Sequence, residues 1–338
     1  MLQKHENYPL KELNTFHFDV SAKELIVTDS VNDIREWIIQ EKPSAENILV
    51  LGGGSNLLFA SDYTGTLIHP LFDQIKIIYE DNDTVLIETG AGKKWDDFVE
   101  FCVNNSYYGV ENLSLIPGTV GAAPVQNIGA YGCEAKDVIE KVNGIFLDSA
   151  GLLTLYNSEC RFGYRNSIFK NELKNRTLVT SVVFRLSKKE TYNLSYGRLE
   201  EKTKELGKIN LQNIRKAVID IRGSKLPDPD ITGNAGSFFK NPEISTELFD
   251  RLREDYPDIP GYPLDKGKMK IPAGWLIDKA GWKGKAMGKA AVHSDQALVL
   301  INRGDASGTD ILKLASAIEK DIKDKFGIGL EKEVIVIR

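Results

Sequence analysis

Apolar residues recur along the chain at two spacings, one helical and one extended. Trp95, Phe98, Val99, Cys102 and Val103 make an i, i+3, i+4, i+7, i+8 stripe, so the spacing predicts an amphipathic helix. Ile34, Trp37 and Ile38 start a second helix after Ser30-Val-Asn-Asp33, which reads as a capping box. Leu211, Ile214, Val218 and Ile221 give a third face, and residues near 245–256 a fourth helix. Ser307-Gly-Thr-Asp310 caps a fifth, from about Thr309, with Ile311, Leu314, Ile318 and Ile322 inward. Apolar runs at 48–51, 84–88, 144–147, 152–156, 297–301 and 334–337 read as strands. Leu178, Thr180, Val182, Phe184 and Leu186 alternate with their neighbours in a period-two strand pattern. No internal repeat is present.

Three stretches break the pattern. Residues 116–132, "IPGTVGAAPVQNIGAYG", hold four glycines and two prolines and have no period. A loop this long inside a folded domain is usually functional. Residues 188–207 are charged and read as an excursion. "LPDPD" at 226–230 is the domain boundary the sequence favours, because its prolines break helix and strand alike. The fold class is α+β, with two or three lobes in 338 residues.

Composition narrows the function. The net charge is -5 with both signs spread along the chain, which disfavours a nucleic-acid surface. Cys102, Cys133 and Cys160 have neither metal-finger spacing nor a pairing framework, so no metal site is expected. No apolar run reaches the ~18 residues of a membrane span. The N-terminus carries no secretory pattern. The expectation is a soluble cytoplasmic protein with free thiols.

The chemistry centres on glycines. In "ILVLGGGSNLLF", Gly52 and Gly54 satisfy the start of a Rossmann fingerprint, but Leu57 stands where its third glycine belongs. A P-loop would need Gly-Lys-Ser/Thr, which is absent. Consecutive glycines still let backbone N–H groups converge on an anion, and Ser55 and Asn56 add donors. A plain tight turn is the competing reading. Gln126 and Asn127 sit among small residues, which suits close contact with a flat, polar-edged ligand such as a flavin ring. A structural loop around a cis-proline is the alternative.

Other candidates are scattered. Tyr164-Arg165 offers a guanidinium fork for a carboxylate. Ser237 stands in "GNAGSFFKNP" with small residues before it, yet lacks the hydrolase elbow, and a helix-capping serine is the plain alternative. Glu331 and Glu333 are read as sharing one face of the final strand. His293 reads as a hydrogen-bonded structural histidine rather than a metal ligand.

Taken in order, these segments resemble the UDP-N-acetylenolpyruvoylglucosamine reductase family. The resemblance starts at Asn14-Thr-Phe16. It runs through "LGGGSNLLF", the 116–132 loop, "CRFGYRNS", "RGSKLPDP", "GNAGSFFKNP", "PAGWLID" and "AAVHSDQALVLIN" to Glu333. The stretch "NLSYGRLE" resembles the longer subclass, which carries a substrate-closing tyrosine there. The resemblance implies a vanillyl-alcohol-oxidase-type FAD-binding fold in two lobes, 1–70 and 71–222. The substrate excursion near 188–207 belongs to the second, and an α+β substrate domain follows at 223–338. FAD would lie between the flavin lobes, with the third lobe covering the substrate.

It also implies roles. Gly52, Gly53, Gly54, Ser55 and Asn56 would cradle the FAD pyrophosphate. Pro117, Gly118, Thr119, Gly121 and Ala122 would hold the rest of the cofactor, together with Gln126, Asn127, Gly129 and Tyr131. No histidine or cysteine matches a covalent flavin link, so non-covalent FAD is expected. NADPH would be the co-substrate and UDP-N-acetylglucosamine enolpyruvate the substrate, in two half-reactions sharing one site, with the chain acting as a monomer. Arg165, assisted by Tyr164, and Glu333 would meet the substrate carboxylate. A glutamate facing a carboxylate is expected to have its pKa raised by like-charge repulsion, which would let Glu333 act while protonated. Ser237 would be the general acid. Tyr196, Arg222, Lys225, Asn241 and Gln296 would bind the nucleotide sugar. For Arg222 and Lys225 a helix C-terminus complementing its own dipole is a compatible structural role. Many relatives have proline where this chain has Lys332. A carbohydrate or lactone oxidase on the same fold, and a non-enzymatic nucleotide-sugar sensor, are the competing readings.

Overall fold

A computed structural model describes residues 1–338. The chain divides into two units. The first holds residues 1–8, 22–53 and 64–224, and the second holds 9–21, 54–63 and 225–338. The break at 224/225 falls just before "LPDPD".

The first unit is built on a five-stranded antiparallel sheet. Its strands lie in the order Leu152–Tyr156, Ile139–Phe146, Thr177–Ser187, Thr84–Gly90 and Ile75–Glu80. The helix Trp95–Asn104 buries all five residues of its predicted stripe. Trp95, Phe98 and Phe184 meet there, with Phe98 and Phe184 ring centroids 4.5 Å apart. The central strand Thr177–Ser187 is buried from Leu178 to Phe184 on both faces, so its period-two reading understates its burial. A strand with neighbours on each side and layers on both faces has no solvent face to alternate with. The strand at 144–147 begins earlier, at Ile139.

A second sheet of this unit orders Leu2–Pro9, Ser21–Thr28, Tyr63–Pro70 and Ile48–Val50, the last two parallel. The sequence pattern missed the first three, whose burial does not alternate cleanly. Ser30 does cap the helix Val31–Glu41 by accepting from the Asp33 N–H. The box is incomplete, however: Asp33 takes the Ser30 hydroxyl, while the Ser30 N–H goes to Thr28 Oγ1.

The second unit pairs Asn234–Ser237, Val299–Asn302, Ala290–Val292 and Ala286–Met287 in an antiparallel sheet. The helix Gly308–Phe326 lays Ile311, Leu314, Ile318 and Ile322 into its core, and here the Ser307/Asp310 capping box is complete. Ile335–Ile337 closes the chain parallel to Leu57–Phe59. The final strand therefore starts at Ile335. Glu331 and Glu333 precede it and so do not belong to the final strand; they flank Lys332, which pairs with Phe239 in the segment after Ser237. No helix is long and apolar enough to cross a membrane.

Candidate active site

In the first unit, two glycine-bearing segments meet. Gly52 and Gly53 follow the strand Ile48–Val50, so their N–H groups lie outside its ladder. A Cβ at Gly53 would come within 3.0 Å of the Gly118 Cα, and one at Gly52 within 2.7 Å of Thr119 Oγ1. Glycine at 53 lets the two backbones approach this closely, and glycine at 52 makes room for the Thr119 hydroxyl. The 116–132 loop is then pinned behind them. The Gly118 carbonyl accepts from the Trp95 N–H at 3.0 Å, and the Val120 and Gly121 N–H groups reach the carbonyls of Lys93 and Ala91. The loop contains no cis peptide, so the cis-proline alternative falls away. Gly54, Ser55 and Asn56 belong to the second unit. Gly54 presses on Leu13 and Asn14, and the Asn56 amide donates to the Glu333 carbonyl at 3.3 Å.

Asn127 is buried, and its side chain is fully engaged. It donates to Glu134 Oε2 (2.9 Å) and the Gly163 carbonyl (3.1 Å) and accepts from the Lys136 N–H. What it offers a ligand is therefore backbone. The next turn of this loop meets the arginine. Arg165 donates through Nη2 to the Gly129 carbonyl at 2.9 Å, and its guanidinium lies 5.5 Å from the Tyr164 ring centroid. Ser167, buried two residues on, donates to the Val125 carbonyl at 2.6 Å and fixes the segment from below.

Arg222 lies in the last turn of the helix Leu211–Gly223 and donates through Nε to the Leu115 carbonyl at 3.2 Å. Burial pushes its guanidinium below its ordinary value, partly offset by Tyr131 and Asp96, while Arg165 adds like-charge repulsion. Two cations held this way favour an anionic ligand. Leu115 is held in turn by Asp96, which accepts its N–H and pairs with both Arg215 nitrogens at 2.7 and 2.9 Å. Burial opposes ionisation of Asp96, but Arg215 and the Leu115 N–H win and lower its pKa. Tyr196 is 57% exposed, edge-on to Tyr131 at 6.0 Å. Asp96, Leu115, Arg215 and Asn112 were not singled out from sequence, since none stands in a recognisable pattern.

In the second unit, Ser237 ends the strand Asn234–Ser237 and caps no helix. Gly236 before it has φ +67, a left-handed turn that glycine permits, and its N–H is held by Asn234 Oδ1. Phe238 and Phe239 after it are fully buried and anchor the segment. The Glu333 N–H donates to the Phe238 carbonyl at 2.9 Å, so Ser237 and Glu333 stand on paired stretches of backbone. The Glu331 carboxylate is paired with Lys240 and is largely exposed. The pairing bonds use the Glu333 N–H and the Glu331 carbonyl. The Lys332 N–H is not among them, so a proline there would cost no pairing bond.

Asn241 and Gln296 line one cavity of about 340 Å³ with Gly274, Trp275 and Leu298. Asn241 Oδ1 accepts the Ala273 N–H at 2.9 Å, which leaves its amide N–H groups for a ligand. Lys225 is exposed. His293 accepts the N–H groups of Asp295 and Gln296 at Nδ1, the structural role expected of it.

The close-packed glycines and the arginine-braced loop suit a dinucleotide with a flat ring, and relatives agree. An FAD-binding domain family matches residues 25–149. The family described as UDP-N-acetylenolpyruvoylglucosamine reductase, C-terminal domain, matches residues 228–337. A reductase of that name from Bacteroides fragilis strain YCH46 is 47% identical, over 97% of this chain and 98% of its own. One from Flavobacterium johnsoniae is 43% identical, over 99% of this chain and 100% of its own. The crystal structure of the Thermus caldophilus reductase superposes with a TM-score of 0.68 at 23% identity, covering 100% of this chain and 99% of that one, and so shows the fold. The chain is an FAD-dependent oxidoreductase with a vanillyl-alcohol-oxidase-type flavin fold and a C-terminal α+β domain. More particularly, it belongs to the UDP-N-acetylenolpyruvoylglucosamine reductase family.

Proposed function

We propose that the protein reduces UDP-N-acetylglucosamine enolpyruvate to UDP-N-acetylmuramate with NADPH, a step of peptidoglycan precursor synthesis. The observation that carries this reading is the 2.9 Å bond from the Glu333 N–H to the Phe238 carbonyl, which sets a hydroxyl and a carboxyl on paired backbone. The relatives are named as reductases, which favours this over the oxidase reading.

Non-covalently bound FAD would be held by Gly52 to Asn56 and by the 116–132 loop, and it supplies the hydride that no side chain can. An enol ether is electron-rich and resists hydride attack unless its carboxylate absorbs the developing charge. Arg165, oriented by the Gly129 carbonyl and Tyr164, offers fixed donors for that oxygen pair. Glu333 in its protonated form donates a further hydrogen bond to it. With hydride added at the terminal methylene carbon, the adjacent carbon needs a proton, and the Ser237 hydroxyl gives it. Tyr196, Arg222, Lys225, Asn241 and Gln296 would bind the nucleotide sugar, the two cations suiting its diphosphate. Lobes at 1–70, 71–222 and 223–338 are the domain division this reading takes.

The test is an anaerobic mixing experiment on the purified yellow protein. NADPH should bleach the flavin absorbance, and the enolpyruvyl nucleotide sugar should restore it with one UDP-N-acetylmuramate formed per flavin. Recolouring by oxygen alone, with none by the nucleotide sugar, would contradict the assignment.

A further inference from the structure

Asn112 is 1% exposed and lies outside every segment that carries the family resemblance. Its single side-chain amide spends both protons on two different loops. Nδ2 donates to the Tyr131 carbonyl at 2.9 Å, at the end of the 116–132 segment, and to the Asn193 carbonyl at 2.7 Å, at the start of "NLSYGRLE". Asn193 answers from the other side, its Nδ2 reaching the Gly132 carbonyl at 3.0 Å and the Cys133 sulfur at 3.6 Å. Its Oδ1 accepts from the N–H and hydroxyl of Ser195, which turns the chain into Tyr196.

Tyr192 anchors the loop's start on the first unit's core, its ring 5.8 Å from that of Tyr108, but past Asn193 little else holds it. Leu194 packs on a small apolar cluster of Leu199, Ala217 and Val218, while the Tyr196 ring is mostly in solvent and touches Tyr131 edge-on. A segment with few buried apolar contacts opens easily, so a dry polar clamp at its root decides where it rests. We propose that Asn112 is a positioning residue for the reaction. Through the Tyr131 and Asn193 carbonyls it ties the Tyr196 loop to the 116–132 loop and fixes the pose in which Tyr196 meets the nucleotide sugar. This rests on the reading of Tyr196 as a substrate residue.

Asn112→Asp is the decisive variant. It keeps the shape but removes both protons and turns an acceptor toward two carbonyls. With the FAD-bound protein, it should weaken binding of the enolpyruvyl nucleotide sugar about tenfold, the value of one good hydrogen bond, while bleaching by NADPH keeps its rate. Hydrogen–deuterium exchange without substrate should quicken over residues 190–198 and stay unchanged over 95–104. Adding Asn112→Asp to Tyr196→Ala should weaken binding no further than Tyr196→Ala alone. Unaltered binding in Asn112→Asp, additive losses, or equal damage to both half-reactions would overturn the proposal. If Tyr196→Ala itself binds the nucleotide sugar normally, it is the reading of Tyr196 that fails. Should Asn112→Asp not fold, Asn193→Ala leaves Asn112 in place and releases the Gly132 carbonyl. It should shift binding and exchange in the same direction, and wild-type values for it would likewise overturn the clamp.

Discussion

At the scale of single residues, burial sorts the titratable groups. Glu111 is 3% exposed and accepts the Gly109 N–H at 2.8 Å. Burial raises its carboxyl above the ordinary value, and backbone hydrogen bonds offset only part of that. A raised acid binds its proton more tightly folded than unfolded, so its contribution falls as pH climbs from about 4 through the folded pKa. Glu111→Gln keeps an acceptor for Gly109 and removes the titration. Its stability relative to wild type, from denaturant midpoints at pH 4 and pH 8, should therefore be more favourable at pH 8. A pH-independent difference would contradict this. The thiols follow the same rule: burial pushes Cys133 up to about 11 and Cys160 to about 12. Among the candidate residues, Arg165 stood out in sequence beside Tyr164 and Ser237 among small residues, while Glu333 was marked out only by the family resemblance. Asn112 and Asp96 did not, since their partners are carbonyls and N–H groups of distant loops, which no side-chain pattern encodes.

At the scale of elements, the five longer helices were legible, while the short helices Leu199–Glu205 and Ala273–Lys279 and the edges of the sheets were not. Trp95–Asn104 and Gly308–Phe326 carry their cores at helical spacing and start where the residues say. Leu2–Pro9 is mostly exposed, so its residues are free of any period, and only its pairing with Ser21–Thr28 makes it a strand. The glycine loop was legible as a close approach, but its partner was not: the contact with Gly118 and Thr119 joins segments remote in sequence. That contact makes a prediction. Gly53 has an ordinary backbone conformation, yet a methyl there meets the Gly118 Cα at 3.0 Å and must push the loops apart. Gly53→Ala should hold FAD about tenfold more weakly, ~1.4 kcal/mol, in a titration of the flavin-stripped protein. Unchanged retention would show that the two segments do not cradle the cofactor.

At the scale of the whole molecule, the sequence order is not the order of the units. Residues 9–21 and 54–63 leave the N-terminal stretch and join the second unit, where Leu57–Phe59 pairs with Ile335–Ile337. Proline punctuation marks where a chain breaks but says nothing about which distant strands will pair. The same long-range pairing sets Glu333 beside Phe238 and gives Ser237 its neighbour. The central claim is that the Ser237 hydroxyl protonates the carbon next to the one that receives hydride. Stopped-flow absorbance on Ser237→Ala tests it most directly. Flavin bleaching by NADPH should keep its wild-type rate, and recolouring by the enolpyruvyl nucleotide sugar should slow by about 10²–10⁴-fold, the usual worth of a general acid. Equal slowing of both phases, or recolouring at the wild-type rate, would contradict it.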